Sequence, residues 1–156
     1  MHDESIHFNY KSMWTVIMDL DGTLCDTAHR KHHVEGKKKN FKAFHDAHID
    51  DKPNDWCKAL AQSLCFRYSL KLVTGRPEEY RESTEKWLKD NGIHYADLYM
   101  RKTGDYRADY IIKEEILDAH ILPRYKVRFA IDDRQQVVDM WRRRGIVCLQ
   151  CADGNF

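Results

Sequence analysis

The sequence has no apolar run near the length of about 18 residues that a membrane span needs, and its first dozen residues are polar. It therefore predicts a soluble, cytoplasmic protein with no membrane partner. Charges of either sign are not in excess, since 26 Lys plus Arg face 25 Asp plus Glu. The net charge is too small to attract such a chain to nucleic acid or an anionic membrane, so a phosphate-bearing partner must bind to a local cluster of positive charge.

Two common phosphate-binding loops are also missing. The sequence contains neither a GxxxxGK[ST] loop nor a GxGxxG fingerprint, which removes the main support for P-loop nucleotide hydrolysis and for dinucleotide binding. The five cysteines lie mostly in apolar segments, where cysteine behaves as a small hydrophobic residue, so we expect reduced thiols. One CxxC pair, Cys148 and Cys151, has no second pair with which to form a zinc ribbon.

The length of 156 residues suits one compact domain, predicted to span residues 1–156. Short strand-like runs alternate with segments of helical periodicity, and this alternation predicts an α/β fold. The runs lie at residues 14–18, 69–73, 96–100, 127–131 and 145–150. We therefore expect a doubly wound, mostly parallel, five-stranded sheet with helices on both faces.

Four helices are predicted from apolar residues that recur at helical spacing before the last four strands. They are Cys57, Leu60 and Leu64; Tyr80, Thr84, Trp87 and Leu88; Ile112, Ile116 and Ala119; and Val137, Met140 and Trp141. Residues 26–55 differ, because they are rich in His and Lys and carry only a weak helical pattern around Phe41, Phe44 and Ala47. We interpret this segment as a small helical cap, or lid, inserted over the sheet edge.

Two acids follow the first strand directly, in the stretch Asp19-Leu20-Asp21-Gly22-Thr23. Residues two apart on an extended segment point the same way, so both carboxylates face one pocket. Close carboxylates repel, and burial raises the pKa of one of them unless a cation neutralises the pair. Because Mg²⁺ prefers oxygen ligands and a neutral carboxyl can donate a proton, the motif predicts a catalytic magnesium site. A calcium loop is the alternative, but an EF-hand has a helix before its acids.

A second polar group follows the second strand. In an open parallel sheet, ligands bind at the carboxyl ends of the strands. Thr74, Gly75 and Arg76 lie there, and their hydroxyl, backbone amide and guanidinium can together bind phosphate oxygens. The alternative is an ordinary turn that leads into a helix with Pro77 at its first position.

Two further candidates come from the second half of the chain. Asp132 and Asp133 end the fourth strand, where paired acids leave charge at the edge of the core unless they share a metal. Lys113 lies early in the segment "DYIIKEEILDAH". A solvated lysine paired with Glu at helical spacing is the ordinary alternative for Lys113.

The order of these motifs is more specific than any one of them. Asp-x-Asp, Thr after a strand, Lys, and Asp-Asp after a strand resembles the haloacid dehalogenase-like (HAD-like) phosphotransferases. A receiver domain uses similar residues, but its acidic pair comes first and its lysine last. The stretches "GDYRADYIIKEEILDAHI", "FAIDDRQQVVDMWRRRGIVCLQCADGNF" and "VTGRPEEYRESTEKWL" resemble the 3′-phosphatase domain of phage-type polynucleotide kinase-phosphatases. The resemblance covers most of residues 14–156.

This resemblance implies a magnesium-dependent phosphomonoesterase that forms an aspartyl-phosphate and removes 3′-phosphates from polynucleotide ends. The implied catalytic residues are the nucleophile Asp19, the general acid and base Asp21, and the charge stabilisers Lys113 and Thr74. The implied substrate contacts are Arg30, Arg76, Gly75 and Asp109. The implied Mg²⁺ ligands are Asp19, Asp21 through its carbonyl, and one of the pair Asp132 and Asp133.

The lid is expected to select the substrate. The residues that can track a nucleic-acid backbone or stack on a base are Arg30, Lys31, Lys37–Lys39, Phe41, Phe44 and Trp56. The alternative is a solvated lid whose aromatic residues form a small core. The lid histidines, which are His29, His32, His33, His45 and His48, can be a zinc site or surface residues.

Two other functions stay open at this point. One is a phosphatase of free (deoxy)mononucleotides, resembling the small deoxyribonucleotidases that share the motif order. The other is a noncatalytic module that binds RNA ends or a protein. The expected partners are nucleic-acid 3′ ends or a nucleotide, and the chain is expected to be a monomer or a homodimer.

Overall fold

The computed structural model describes residues 14–154; the two ends of the predicted domain, residues 1–13 and 155–156, lie outside the described residues. The strands are β1 (Thr15–Met18), β2 (Cys25–Asp26), β3 (Lys52–Pro53), β4 (Ser69–Pro77), β5 (Asp97–Arg101), β6 (Val127–Asp132) and β7 (Cys148–Gln150). The α-helices are α1 (Phe41–Asp46), α2 (Asp55–Leu64), α3 (Arg81–Asp90), α4 (Asp109–Ile116) and α5 (Gln135–Arg143). In this part of the chain no helix combines the length and the apolar character of a membrane span.

Five strands form one parallel sheet in the order β5-β4-β1-β6-β7, which confirms the predicted α/β architecture. The chain leaves the central strand β1 for β4 and β5, then returns to the other side of β1 for β6 and β7. In a parallel sheet the point where strand order reverses leaves a crevice at the carboxyl ends of the strands. Here that crevice lies between β1 and β6.

Helices cover both faces of the sheet because successive side chains of a strand point to opposite sides. Val16 and Met18 of β1 belong to one buried cluster with residues of α2 and α3. Ile17, between them, belongs to a second cluster with residues of α4 and α5. The fully buried Trp141 anchors α5 in that second cluster. Two apolar layers therefore hold β1 rigidly from either side.

Two details of the predicted helices differ in the structure. Ala119, predicted on the core face, is exposed, whereas Leu117 and Ile121 are buried. The reason is that α4 continues as a π-helix over Leu117–Ile121, in which the Leu122 N–H bonds to the Leu117 carbonyl, so buried positions shift. Pro77 closes β4 instead of opening a helix, and α3 begins after a 3₁₀ turn.

The segment predicted as a lid lies between the two strands of a short antiparallel ribbon, β2 and β3. It contains a 3₁₀-helix (Ala28–His33), α1 and a second 3₁₀-helix (Ala47–Asp50). The Asn40 side chain caps α1 by accepting a hydrogen bond from the Ala43 N–H at 3.0 Å. The segment is tied to the body of the fold by the Trp87 indole, which donates to the Asp51 carbonyl at 2.8 Å.

Candidate active site

A buried cluster of opposite charges lies at the carboxyl ends of β1 and β6. Asp19 follows β1 by one residue, Asp132 ends β6, and Asp133 comes next. The Lys113 ammonium, delivered by α4, donates to Asp19 Oδ1 at 2.7 Å and to Asp132 Oδ2 at 2.9 Å. The structure thus brings together four of the residues that the sequence nominated.

Electrostatics in this cluster favour binding of a cation. Asp19, Asp132 and Asp133 each offer an oxygen, and the three oxygens lie within 4.8 Å of one another. Burial and the neighbouring acids raise the pKa of Asp19 well above its ordinary value, despite the opposing effect of Lys113. Burial and the Asp132 carboxylate also raise the pKa of Asp133 to about 6. Three carboxylates against one ammonium leave negative charge, and hard oxygen donors of this kind suit Mg²⁺.

Lys113 stays charged in this buried place. Burial alone lowers the pKa of a lysine, but the Asp132, Asp19 and Asp109 carboxylates raise the pKa of Lys113 above its ordinary value. Its side chain is 1% exposed. A solvated, Glu-paired lysine is therefore not what the structure shows, and Lys113 is a fixed positive charge beside Asp19.

Two glycines permit close approach of acids to the site. A Cβ on Gly22, which has a φ of +84°, would lie 2.2 Å from Asp133 Oδ2. A Cβ on Gly75 would lie 2.2 Å from Asp109 Oδ1. Asp109 also accepts a hydrogen bond from Arg101 Nη2 at 3.3 Å, and Arg101 donates to the Gly75 carbonyl at 2.8 Å. Sequence reasoning missed Arg101, because its strand position gives no sign that it turns back to the site.

Asp21 does not join the acid cluster through its side chain. Its Oδ1 atom accepts hydrogen bonds from Arg30 Nη2 at 2.6 Å and from Arg76 Nη2 at 2.5 Å and Nε at 3.0 Å. All three contacts are to one oxygen, so Oδ2 carries none of them. Burial alone would raise the pKa of Asp21, but the Arg76 and Arg30 guanidinium groups hold it well below its ordinary value.

A second acid, Asp51, completes this arginine cluster. Its carboxylate is fully buried and accepts from both Arg30 and Arg76. Asp21, Cys25 and Asp51 also satisfy the spacing of a metal site, but Arg76 Nη2 contacts all three at 2.5, 3.4 and 3.1 Å. A guanidinium therefore fills the place that a metal would need. Nothing in the polar segment around Asp51 marks it in the sequence.

The other residues that the sequence suggested for the site are Thr74, Arg30 and the lid histidines. Thr74 is buried in β4, and its hydroxyl accepts from the Arg76 N–H at 3.2 Å, within the part of the strand where its pairing with β5 is irregular. Arg30 is fully buried and therefore does not lie on the surface of the lid, while its contact with a substrate phosphate stays a prediction. Within residues 14–154, neither candidate metal group contains any of the lid histidines.

A cavity of about 230 Å³ lies beside the acids. Gly22 and Cys151 line it on the side of the sheet, and Lys31 and Trp56 line it on the side of the lid and α2. Trp56 is half exposed, and Gly22 also abuts the Asp133 carboxylate. The cavity and the acid cluster therefore share a wall, and an indole face is available next to the site.

All five cysteines are free thiols. Burial raises the pKa of Cys151 to about 11 and that of Cys148 to about 12. Thiols that stay protonated are poor nucleophiles and poor metal ligands. The chemistry of the site therefore falls to its carboxylates.

A family model described as the polynucleotide kinase PNKP phosphatase domain matches residues 13–156. A protein of Autographa californica nuclear polyhedrosis virus, described as a bifunctional polynucleotide kinase/RNA ligase, is 30% identical over 128 residues, or 81% of this chain. A chain from a structure of the Pnkp1/Rnl/Hen1 RNA repair complex is 37% identical, with a TM-score of 0.81 over 93% of this chain.

The likeness extends in fold alone to more distant hydrolases. A haloacid dehalogenase-like family protein from Streptococcus pneumoniae has a TM-score of 0.63 at 15% identity, over 88% of this chain and 84% of that one. The relatives with higher identity are longer proteins. This chain spans 17% of the viral protein and 44% of the repair-complex chain.

Proposed function

Because this chain belongs to the family of polynucleotide kinase PNKP phosphatase domains, and is thus a HAD-type phosphatase, we propose that it removes 3′-phosphates from polynucleotide ends. We propose further that the phosphoryl group passes through a covalent intermediate on Asp19. The observation that carries this mechanism is the placement of Asp19, with Lys113 Nζ 2.7 Å from Oδ1 and two more buried acids beside it. A nucleophilic carboxylate needs such neutralising partners before an anionic phosphate can approach.

Mg²⁺ is the proposed cofactor. The ligands would be the carboxylates of Asp19, Asp132 and Asp133 together with the Asp21 carbonyl. The fit rests on the three clustered oxygen donors. Burial, and after it the neighbouring carboxylates, raise the pKa of Asp19 and of Asp133, so a bound cation would stabilise their charged forms. When bound, the ion would supply neutralisation of the nucleophile and of the phosphate oxygens.

The first half-reaction is an in-line displacement. An Asp19 oxygen attacks phosphorus, a bond from that oxygen to phosphorus forms, and the bond to the leaving oxygen breaks. Asp21 gives its proton to the departing alkoxide. Asp21 Oδ2 is the proposed proton carrier, because the arginines hold Oδ1.

Asp21 can become protonated only when its arginines are partly neutralised. In the substrate-free arrangement Arg76 and Arg30 hold its pKa well below the ordinary value. A phosphate dianion placed beside Arg76 competes for that positive charge and raises the pKa of Asp21 toward the range that a general acid needs. Phosphate binding and proton uptake on Asp21 are thus coupled in this proposal.

The second half-reaction regenerates the free enzyme. Asp21, now a carboxylate, takes a proton from a water molecule, and that water attacks the phosphorus of the aspartyl-phosphate. The bond between Asp19 and phosphorus breaks and inorganic phosphate leaves. Lys113, Thr74 and the Gly75 amide are the proposed donors to the equatorial oxygens, where charge collects in both steps.

A polynucleotide substrate is supported by the surface around the site. The cavity beside the acids offers the indole of Trp56, on which a nucleobase can stack. Lys37, Lys38 and Lys39 are exposed on the lid and can bind backbone phosphates. Because the structural relatives include a chain of an RNA repair complex, RNA 3′ ends are the proposed natural substrate, met in a cytoplasm that keeps thiols reduced.

The experiment measures phosphate release in Mg²⁺ buffer from three substrates: a 3′-phosphorylated oligonucleotide, a 3′-mononucleotide and a 5′-mononucleotide. The Asp19→Asn variant is the control for contaminating phosphatases. A clear preference in kcat/KM for the oligonucleotide is expected. Preference for the mononucleotides would overturn the polynucleotide assignment, and binding without release would indicate a noncatalytic module.

A further inference from the structure

We propose that Asp51 is a positioning residue for catalysis. It holds in place Arg30 and Arg76, the two arginines that donate hydrogen bonds to Asp21, and so fixes the orientation of the Asp21 carboxylate. The inference rests on the proposed function in one respect, the role of Asp21 as the acid. It goes beyond that function by assigning a task to a lid residue that lies outside the acid cluster.

The contacts of Asp51 are those of a structural anchor for arginine. Its side chain is 0% exposed. Its Oδ1 accepts from Arg30 Nε at 2.7 Å and its Oδ2 from Arg30 Nη2 at 2.6 Å, a two-point bridge that fixes the guanidinium plane. Oδ1 also contacts His29 Nε2 at 2.8 Å.

The same carboxylate reaches the second arginine. Asp51 Oδ2 accepts from Arg76 Nη2 at 3.1 Å, while both Nη2 atoms also donate to Asp21 Oδ1. Two guanidinium nitrogens and two carboxylate oxygens therefore alternate in a closed ring of four. The two buried guanidinium groups can lie side by side because the Asp21 and Asp51 carboxylates each bridge both of them and offset their repulsion.

Removing the Asp51 charge opens that ring. Arg30 and Arg76 would then repel each other with only Asp21 between them, and Asp21 would have to turn to satisfy both. Oδ2, the proposed proton carrier, would lose its fixed direction toward the leaving oxygen. Proton transfer depends steeply on such placement, whereas attack by Asp19 does not use this oxygen.

Asp51 also connects the lid to the sheet. Its carbonyl accepts from Trp87 Nε1 of α3 at 2.8 Å, so its backbone is held by the body of the fold. On the lid side, Arg30 stacks on the Phe44 ring at 4.2 Å and donates to the Phe44 carbonyl at 3.1 Å. The position of α1 is thus transmitted to Asp21 through one arginine.

The test compares leaving groups in the full chain. Asp51→Asn keeps the shape of the side chain but removes its charge. We expect kcat to fall about 10- to 100-fold for an alkyl phosphate ester such as glycerol phosphate, which needs an acid, within the range that general acid catalysis spans. With p-nitrophenyl phosphate, whose leaving group needs no proton, we expect a fall under about 3-fold. Asp50→Asn, the exposed neighbour, should change neither value.

A double variant separates positioning from folding. In an Asp21→Asn background the acid is already lost, so adding Asp51→Asn should not lower kcat further. An equal fall with both substrates, or a further fall in the double variant, would overturn the role of Asp51. If Asp21→Asn alone shows no dependence on the leaving group, the proposed role of Asp21 fails and this inference fails with it.

Should Asp51→Asn unfold, Asp51→Glu tests the same ring. A glutamate keeps the negative charge, but its extra methylene shifts the carboxylate oxygens away from the positions that contact Arg30 and Arg76. The same contrast between the two leaving groups is expected of this variant, and an equal loss with both would contradict the proposal.

Discussion

Lys113 Nζ lies 2.7 Å from Asp19 Oδ1, although 94 positions separate the two residues in the chain. The contact joins the end of the central strand to a helix on one face of the sheet. In the proposed mechanism it places a permanent positive charge where the phosphate and the Asp19 carboxylate meet.

Asp19→Asn should abolish turnover and leave the fold intact. The amide is nearly the shape of the carboxylate but is too weak a nucleophile to form the covalent intermediate. Phosphate release should fall by at least about 10³-fold, more than loss of a single charge-stabilising donor commonly costs, with an unchanged circular dichroism spectrum. Activity near that of wild type would show that Asp19 is not the nucleophile.

Lys113→Met should destabilise the protein in metal-free buffer. The change leaves Asp19, Asp132 and Asp133 buried without their ammonium partner, a defect that typically costs about 3–5 kcal/mol. Chemical denaturation at pH 7 measures it. Added Mg²⁺ should recover part of the loss, because the ion replaces the missing positive charge. No difference from wild type in metal-free buffer would contradict the proposed charge balance.

Stability of the metal-free chain should fall as pH rises through about 6. The folded pKa of Asp133, about 6, lies above its ordinary value of 3.8. The folded state thus binds the proton more tightly, and that stability is present below pH 3.8 and lost as the pH rises through 6. The shift corresponds to roughly 3 kcal/mol at most.

Thermal melts between pH 4 and pH 8 test this dependence on Asp133. Asp133→Asn should flatten the fall, whereas Asp139→Asn, an exposed acid of α5, should leave it as in wild type. Mg²⁺ should raise the melting temperature more at pH 7 than at pH 5, because the ion binds the deprotonated acids. An equal effect of Mg²⁺ at both values would count against these ligands.

Trp56→Ala should weaken binding of the oligonucleotide but not of a small phosphate ester. Stacking of a base on an aromatic ring is worth about 1–3 kcal/mol, so KM for the 3′-phosphorylated oligonucleotide should rise about 5- to 150-fold. KM for p-nitrophenyl phosphate should stay unchanged. Phe66→Ala is the matched control, because Phe66 is 75% exposed and precedes β4 at the opposite end of the sheet. An equal rise for both substrates would exclude a stacking role.

The sheet and the acid cluster could be read from the sequence because both depend on local patterns. A buried strand that ends in acids, as at Asp19 and at Asp132, carries its own signal, and parallel topology then brings the strand ends together. The register of α4 could not be read, because its change to a π-helix at Leu117 leaves no mark in apolar spacing.

The role of Asp51 could not be predicted from the sequence, because its partners are far away along the chain. Its partners Arg30 and Arg76 lie 21 and 25 positions away, and the sequence suggests both as phosphate contacts rather than as partners of a buried acid. Only the folded chain shows that two buried arginines required another acid. Buried charge is recognisable once its neighbours are known, and a single sequence does not give them.

The order of strands in the sheet has a consequence for what an activity measurement reports. The proposed reacting set draws on β1, β4, α4 and β6, which lie on both sides of the central strand. A partly assembled sheet holds at most some of these groups and has no complete set of charges with which to turn over a phosphate ester. The catalytic rate is therefore proportional to the fraction of molecules in which the strands on both sides of β1 are assembled. It should be lost along the same denaturation curve as the tertiary structure.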